Sequence, residues 1–64
     1  MSDLSKGLIY VVDDEPNIRR LASLALKEYG FETQEFSGGE ELLRAVQRRS
    51  PDLIVMDWVM PAPD

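Results

Sequence analysis

A chain of 64 residues makes one domain at most, and a thin one, since folding at this length buries only about 60% of the unfolded surface. It has no Cys and no His, which leaves disulfides and Cys/His zinc sites out and fits a reducing compartment. Twelve acids against seven bases give a net charge of −5, which argues against a nucleic-acid surface, and apolar runs of about five residues are far too short to span a bilayer.

The N-terminal "MSDLSKG" lacks the basic flank and apolar core of a signal peptide, so a cytoplasmic location is expected. Leu8 to Val12 is a continuous apolar, β-branched run, the pattern of a strand buried on both faces. Pro16 suits the first turn of a helix, where its missing N–H costs nothing. From there, at 100° per residue, Ile18, Leu21, Ala22, Ala25, Leu26 and Tyr29 share one stripe, which predicts the buried face of a first helix. Arg19, Arg20, Ser23 and Lys27 are predicted to face away, and Leu24 falls outside the stripe. Gly30 is placed to stop this helix in the left-handed conformation.

"FETQEF" alternates apolar and polar with period two, predicting a short edge strand with one wet face. "SGGE" sets Ser37 three residues before Glu40, the spacing of a capping box at the start of a second helix. Leu42, Leu43 and Val46 are its predicted apolar face, and "SPD" ends it. The bases of "RAVQRRS" are read as coating a solvated helix face. Leu53 to Met56 is another short buried-type run, ending on Asp57, and the two prolines of "MPAPD" mark a loop. Strand, helix, strand, helix, strand with short connections predicts an α/β open parallel sheet with right-handed crossovers.

In such sheets the chemistry lies outside the carboxyl ends of the strands. Asp13, Asp14 and Asp57 all fall at carboxyl ends. If the first and third strands are neighbours, their ends lie roughly 5 Å apart, and two carboxylates at that distance repel by roughly 3 kcal/mol at an effective dielectric of 20. Such a cluster demands protonation or a cation, and an all-oxygen set with room for water suits Mg²⁺. Each acid also has an ordinary structural explanation: "DDEP" as a helix N-cap and Asp57 as a turn former. What favours a site is that two separate buried strands end on acid at the same edge.

At these residues "LIYVVDDEPNIRRL" and "DLIVMDWVMPAPD" resemble the receiver domain of two-component response regulators, a flavodoxin-like open parallel sheet, and the resemblance runs from Leu8 to Asp64. It implies that Asp57 is the phosphoryl acceptor. Asp14 would bind Mg²⁺ directly together with Asp57, Asp13 largely through water, and the main-chain carbonyl of Val59 would add an oxygen. The implied partner is a sensor histidine kinase or histidine phosphotransfer protein, in a phosphorelay rather than conventional enzyme catalysis, with no nucleic acid or membrane bound through this segment.

A complete receiver has five strands, so the resemblance casts residues 1–64 as a β-α-β-α-β portion truncated after the third strand. Leu53 to Met56 would then be an exposed apolar edge open to self-association. The alternative within the same fold is a phosphorylation-independent protein-interaction module, a pseudo-receiver. An aspartate-nucleophile phosphatase of the haloacid dehalogenase type wants a second aspartate at the position of Val59. A nucleotide-binding α/β domain wants a Gly-rich first loop where this chain has "DDEPN".

Overall fold

A computed structural model describes residues 6–56. Strand β1 spans Leu8–Val12, helix α1 Pro16–Glu28, strand β2 Glu32–Phe36, helix α2 Gly39–Arg48 and strand β3 Leu53–Met56. The three strands form one parallel sheet in the order β2-β1-β3, the open α/β arrangement that the alternation of elements predicts. β1 is the centre, and its five residues are all buried. β2 and β3 are the edges, in keeping with the half-wet pattern of "ETQEF" and with Leu53, Ile54 and Met56 lying exposed.

Parallel register decides which residues share a face. Leu8 pairs with Glu32, Tyr10 with Gln34 and Val12 with Phe36, so these six look to one side of the sheet, while Ile9 and Val11 look to the other with Thr33 and Glu35. On the first side, Leu8, Tyr10 and Val12 pack with Leu42 and Ala45 of α2, and Phe36 and Val46 close the cluster. The Tyr10 ring meets Phe36 edge-on at 4.9 Å. Its hydroxyl donates to the Arg49 carbonyl just past α2, and lies 3.4 Å from the Ala45 carbonyl, which already accepts the Arg49 N–H, so a buried phenol finds its acceptor where the helix ends. The face of α2 is therefore Leu42, Ala45 and Val46; Leu43, predicted to lie inward, is exposed because it sits one residue, or 100°, round from Leu42. Its start also differs by one residue from the predicted box. Gly38 is the N-cap, and Ser37 pairs with Glu41 rather than Glu40, through both N–H (3.1 Å) and Oγ (3.2 Å).

The larger correction concerns α1, which lies over Ile9, Val11, Thr33 and Glu35. Its inward face is Arg19, Ala22, Ser23 and Leu26, with Ser23 fully buried, whereas Leu21 (67% exposed), Tyr29 (68%), Ile18 and Ala25 face out. Relative to the predicted stripe the helix is turned by roughly 80° at 100° per residue. The reason lies in β2: this side of the sheet carries two polar groups, and α1 answers each with one. The Ser23 hydroxyl bonds the Thr33 hydroxyl at 2.6 Å, and Arg19 reaches the Glu35 carboxylate at 3.4 Å. An apolar stripe turned inward would have left both without partners at a half-buried seam.

Local chemistry ends the elements as predicted. Pro16 opens α1, and Gly30 takes φ +97° just after it. The Gly30 N–H bonds the Lys27 carbonyl and the Phe31 N–H the Leu26 carbonyl, the paired closure that a left-handed residue allows. At the other end of the sheet, Asp52 binds the first residue of β1 twice: its N–H donates to the Leu8 carbonyl and its Oδ2 accepts the Leu8 N–H, both at 2.8 Å.

Candidate functional site at the carboxyl end of the sheet

β1 and β3 run parallel with Val12 opposite Met56, so the chain leaves both strands at the same edge and level. After Val12 come Asp13 and Asp14; after Met56 comes Asp57, bonded to it directly in the sequence. Asp57 and Val59 lie outside the described residues, so the geometry available is that of the acid pair and of the strand end that leads to the third acid. Among the described residues no three acidic or metal-ligating side chains converge.

Asp13 is held on every side but one. Its N–H donates to the Phe36 carbonyl (3.1 Å), continuing the β1–β2 ladder by one step. Its Oδ1 accepts the Glu15 N–H (2.9 Å), an Asp side chain turning its own backbone two residues on. Its carbonyl accepts Arg19 Nη1 at 2.8 Å. Only 9% of the residue is exposed, and one carboxylate oxygen is left uncommitted by these bonds. Asp14 is the opposite: it is exposed, and its carboxylate makes no hydrogen bond or ion pair among the described residues. Glu15, next in line, is the N-cap of α1 and accepts the Asn17 N–H at 3.3 Å.

Three consecutive acids thus divide their work: Asp13 builds the turn, Glu15 caps the helix, and Asp14 is free to meet a ligand. The donors are carboxylate oxygen alone, a set that fits a hard divalent cation and not a soft one. Of the pair, Asp14 has both carboxylate oxygens open among the described residues, whereas Asp13 has one engaged by the Glu15 N–H.

The sequence reading missed the cation behind this loop. Arg19, predicted to face solvent, turns in beneath it, its Nε on Glu35 Oε1 (3.4 Å) while Arg20 Nε takes Glu35 Oε2 (3.2 Å). The signal was present in the pattern of β2. Glu35 stands on the face shared with Val11, one step before the strand end, where a lone carboxylate needs a cation from the helix that covers it.

The profile of the "Response regulator receiver domain" family matches residues 9–64. The chain belongs to the response regulator receiver family. Similar proteins agree. A "Probable transcriptional regulator ycf27" of Cyanophora paradoxa is 40% identical over 62 residues, covering 97% of this chain and 26% of that protein. The "DNA-binding response regulator MtrA" of Mycolicibacterium smegmatis is 34% identical over 59 residues, 92% of this chain and 26% of its own. The "Phosphate regulon transcriptional regulatory protein PhoB" of Pseudomonas aeruginosa is 38% identical over 53 residues, 83% of this chain and 23% of its own. The receiver chain therefore spans about a quarter of the length of these relatives. Membership places it in phosphorelay signalling through two-component systems, with its acid pair at the edge where such a sheet does its chemistry. No helix among the described residues of the receiver is long and apolar enough to cross a membrane.

Proposed function

We propose that this receiver takes a phosphoryl group onto Asp57 from a sensor histidine kinase or a histidine phosphotransfer protein, in a Mg²⁺-dependent reaction. The observation that carries the reading is the β1–β3 register. With Val12 opposite Met56, the acid pair and Asp57 each follow directly on adjacent parallel strands at one edge. In the transfer a carboxylate oxygen of Asp57 attacks phosphorus, the bond from phosphorus to the donor imidazole breaks, and an acyl phosphate forms. Asp14 would hold the metal directly with Asp57, Asp13 through water, and the Val59 carbonyl would contribute an oxygen. The metal, when bound, supplies positive charge for the phosphoryl oxygens.

The chain's own residues prepare for this in two ways. The turn made by Asp13 and Glu15 fixes where the Asp14 backbone leaves the sheet, and the exposure of Asp14 leaves its carboxylate open to the metal. The relatives' names point to transcription as the process such a receiver controls, with the stretch shared here accounting for signal reception. The test is phosphorylation of the full-length protein by a small acyl phosphate, followed by intact mass. One phosphoryl group is expected with Mg²⁺ and none with chelator. Undiminished labelling of Asp57→Asn, or labelling indifferent to Mg²⁺ and to Asp14→Asn, would overturn the proposal.

A further inference from the structure

We infer that Arg19 is a positioning residue for the acid pair: it fixes the Asp13–Asp14 peptide for the cation and braces it against β2 through Glu35. This rests on the Mg²⁺ site proposed above but goes beyond the acids that make it. One guanidinium spans two elements, with Nη1 on the Asp13 carbonyl at 2.8 Å and Nε on Glu35 Oε1 at 3.4 Å. Its side chain is only 20% exposed, as is fitting for a group placed beneath a loop rather than beside it. The carbonyl it grips belongs to the peptide that leads into Asp14, and so sets where that otherwise untethered side chain begins. Asp13 is thereby fixed by its N–H, its carbonyl and one carboxylate oxygen, each to a different partner.

The sign of the effect separates positioning from mere charge. A cation near a metal site repels the metal, so an Arg19 acting only through its charge would weaken Mg²⁺ binding, and its removal would tighten it. Glu35 moreover neutralises that charge locally. Positioning requires the reverse: removal of Arg19 loosens Asp14 and weakens the metal. Losing a partner that orients ligating groups typically costs about 10-fold in metal affinity. Arg20 is the natural control, since it shares Glu35 but its side chain is 67% exposed and bonds no atom of the acid pair.

The experiment uses the full-length protein and Mg²⁺ itself, followed by calorimetry and by Trp58 fluorescence. Arg19→Ala is expected to raise the dissociation constant about 10-fold, Arg20→Ala to leave it unchanged, and Arg19→Lys to recover only part, since an ammonium lacks the fork that serves carbonyl and carboxylate together. In metal-free protein the Glu15 amide, held by Asp13 Oδ1, should exchange on the order of tenfold faster in Arg19→Ala. Wild-type affinity and wild-type Glu15 exchange in Arg19→Ala, with only a lowered melting temperature, would overturn the inference and leave a structural salt bridge; so would tighter binding. Where Arg19→Ala does not fold, Arg19→Lys and Glu35→Gln carry the same comparison. Failure of the parent proposal looks different: wild-type protein would not bind Mg²⁺, or Asp14→Asn would bind it equally well.

Discussion

Substitution of Gly7 by Ala should unfasten β1 at its start, and the structure allows the cost to be worked out. Gly7 holds φ at +141°, a region that L-residues rarely adopt, and forcing a non-Gly residue there costs about 1–3 kcal/mol. A Cβ built on Gly7 would stand 2.8 Å from Asp52 Oδ2, the oxygen that accepts the Leu8 N–H. Asp52 must then swing away and leave that amide, on a buried residue, without its charged acceptor, at a further cost of about 1–3 kcal/mol. Together these come to about 2–6 kcal/mol, a large share of the 5–15 kcal/mol that holds a typical domain together. The assay is urea unfolding of the full-length protein in a double-mutant cycle with Asp52→Ala. Removing the Asp52 carboxylate already forfeits the Leu8 bond and clears the space for a Cβ. Gly7→Ala in that background should therefore cost only the backbone strain, and the two changes should fall short of additive by at least about 1 kcal/mol. Strict additivity would refute the steric argument, and a neutral Gly7→Ala would refute both halves of it.

Tyr10→Phe keeps the ring against Phe36 but strips the Arg49 carbonyl of its donor, while the Ala45 carbonyl keeps the Arg49 N–H, and should cost about 1 kcal/mol in urea unfolding with the sheet unchanged by circular dichroism. The Glu41 carboxyl is held below the usual carboxylate range by hydrogen bonds from the Ser37 N–H and then from its hydroxyl. Because the folded pKa lies below the unfolded one, this contribution is present above the unfolded value and is lost as pH falls through the folded one; Ser37→Ala should raise the Glu41 pKa in an NMR titration. Asp14→Ala should abolish Mg²⁺-dependent change in Trp58 fluorescence, whereas Asp13→Ala should also lower the melting temperature because Asp13 anchors the Glu15 N–H. An isolated 64-residue segment, with Leu53, Ile54 and Met56 exposed on a strand that among the described residues pairs with β1 alone, should sediment as a self-associated species that shifts with concentration.

The parts of the fold legible in the sequence were those fixed by neighbours along the chain. Leu8 to Val12 reads as a doubly buried strand because no polar side chain interrupts it, and Gly30 reads as a stop because few other residues take its φ. The strand ends followed, and with them the acid pair at the edge of the sheet. The rotation of α1 was illegible because a hydrophobic stripe records which residues can be buried, not which neighbour they will meet. Thr33 and Glu35 lie ten or more residues away from Ser23 and Arg19, yet their unpartnered polar groups outweighed the stripe. The exchange of Glu40 for Glu41 at Ser37 is subtler. Gly38 takes the cap with φ −164°, which moves the helix start one residue on and brings the next Glu within reach.

The central place of β1 also decides the order in which this sheet comes apart. In the isolated 64-residue segment, a strand with partners on both sides and five buried residues should open only with the whole structure, whereas β2 and β3, each paired among the described residues with β1 alone, should detach in smaller, more frequent excursions. Asp13 and Asp14 ride on the end of the slowest-opening strand. Asp57 follows in the sequence on β3, one of the two that should fray in that segment. In such openings of β3 the two sides of the proposed site would part company, with the acid pair staying in place and the strand that leads to Asp57 leaving. Anything that bridges them, a divalent cation first of all, would suppress those openings, so that ligand binding at one edge is felt as slower breathing along the full length of β3.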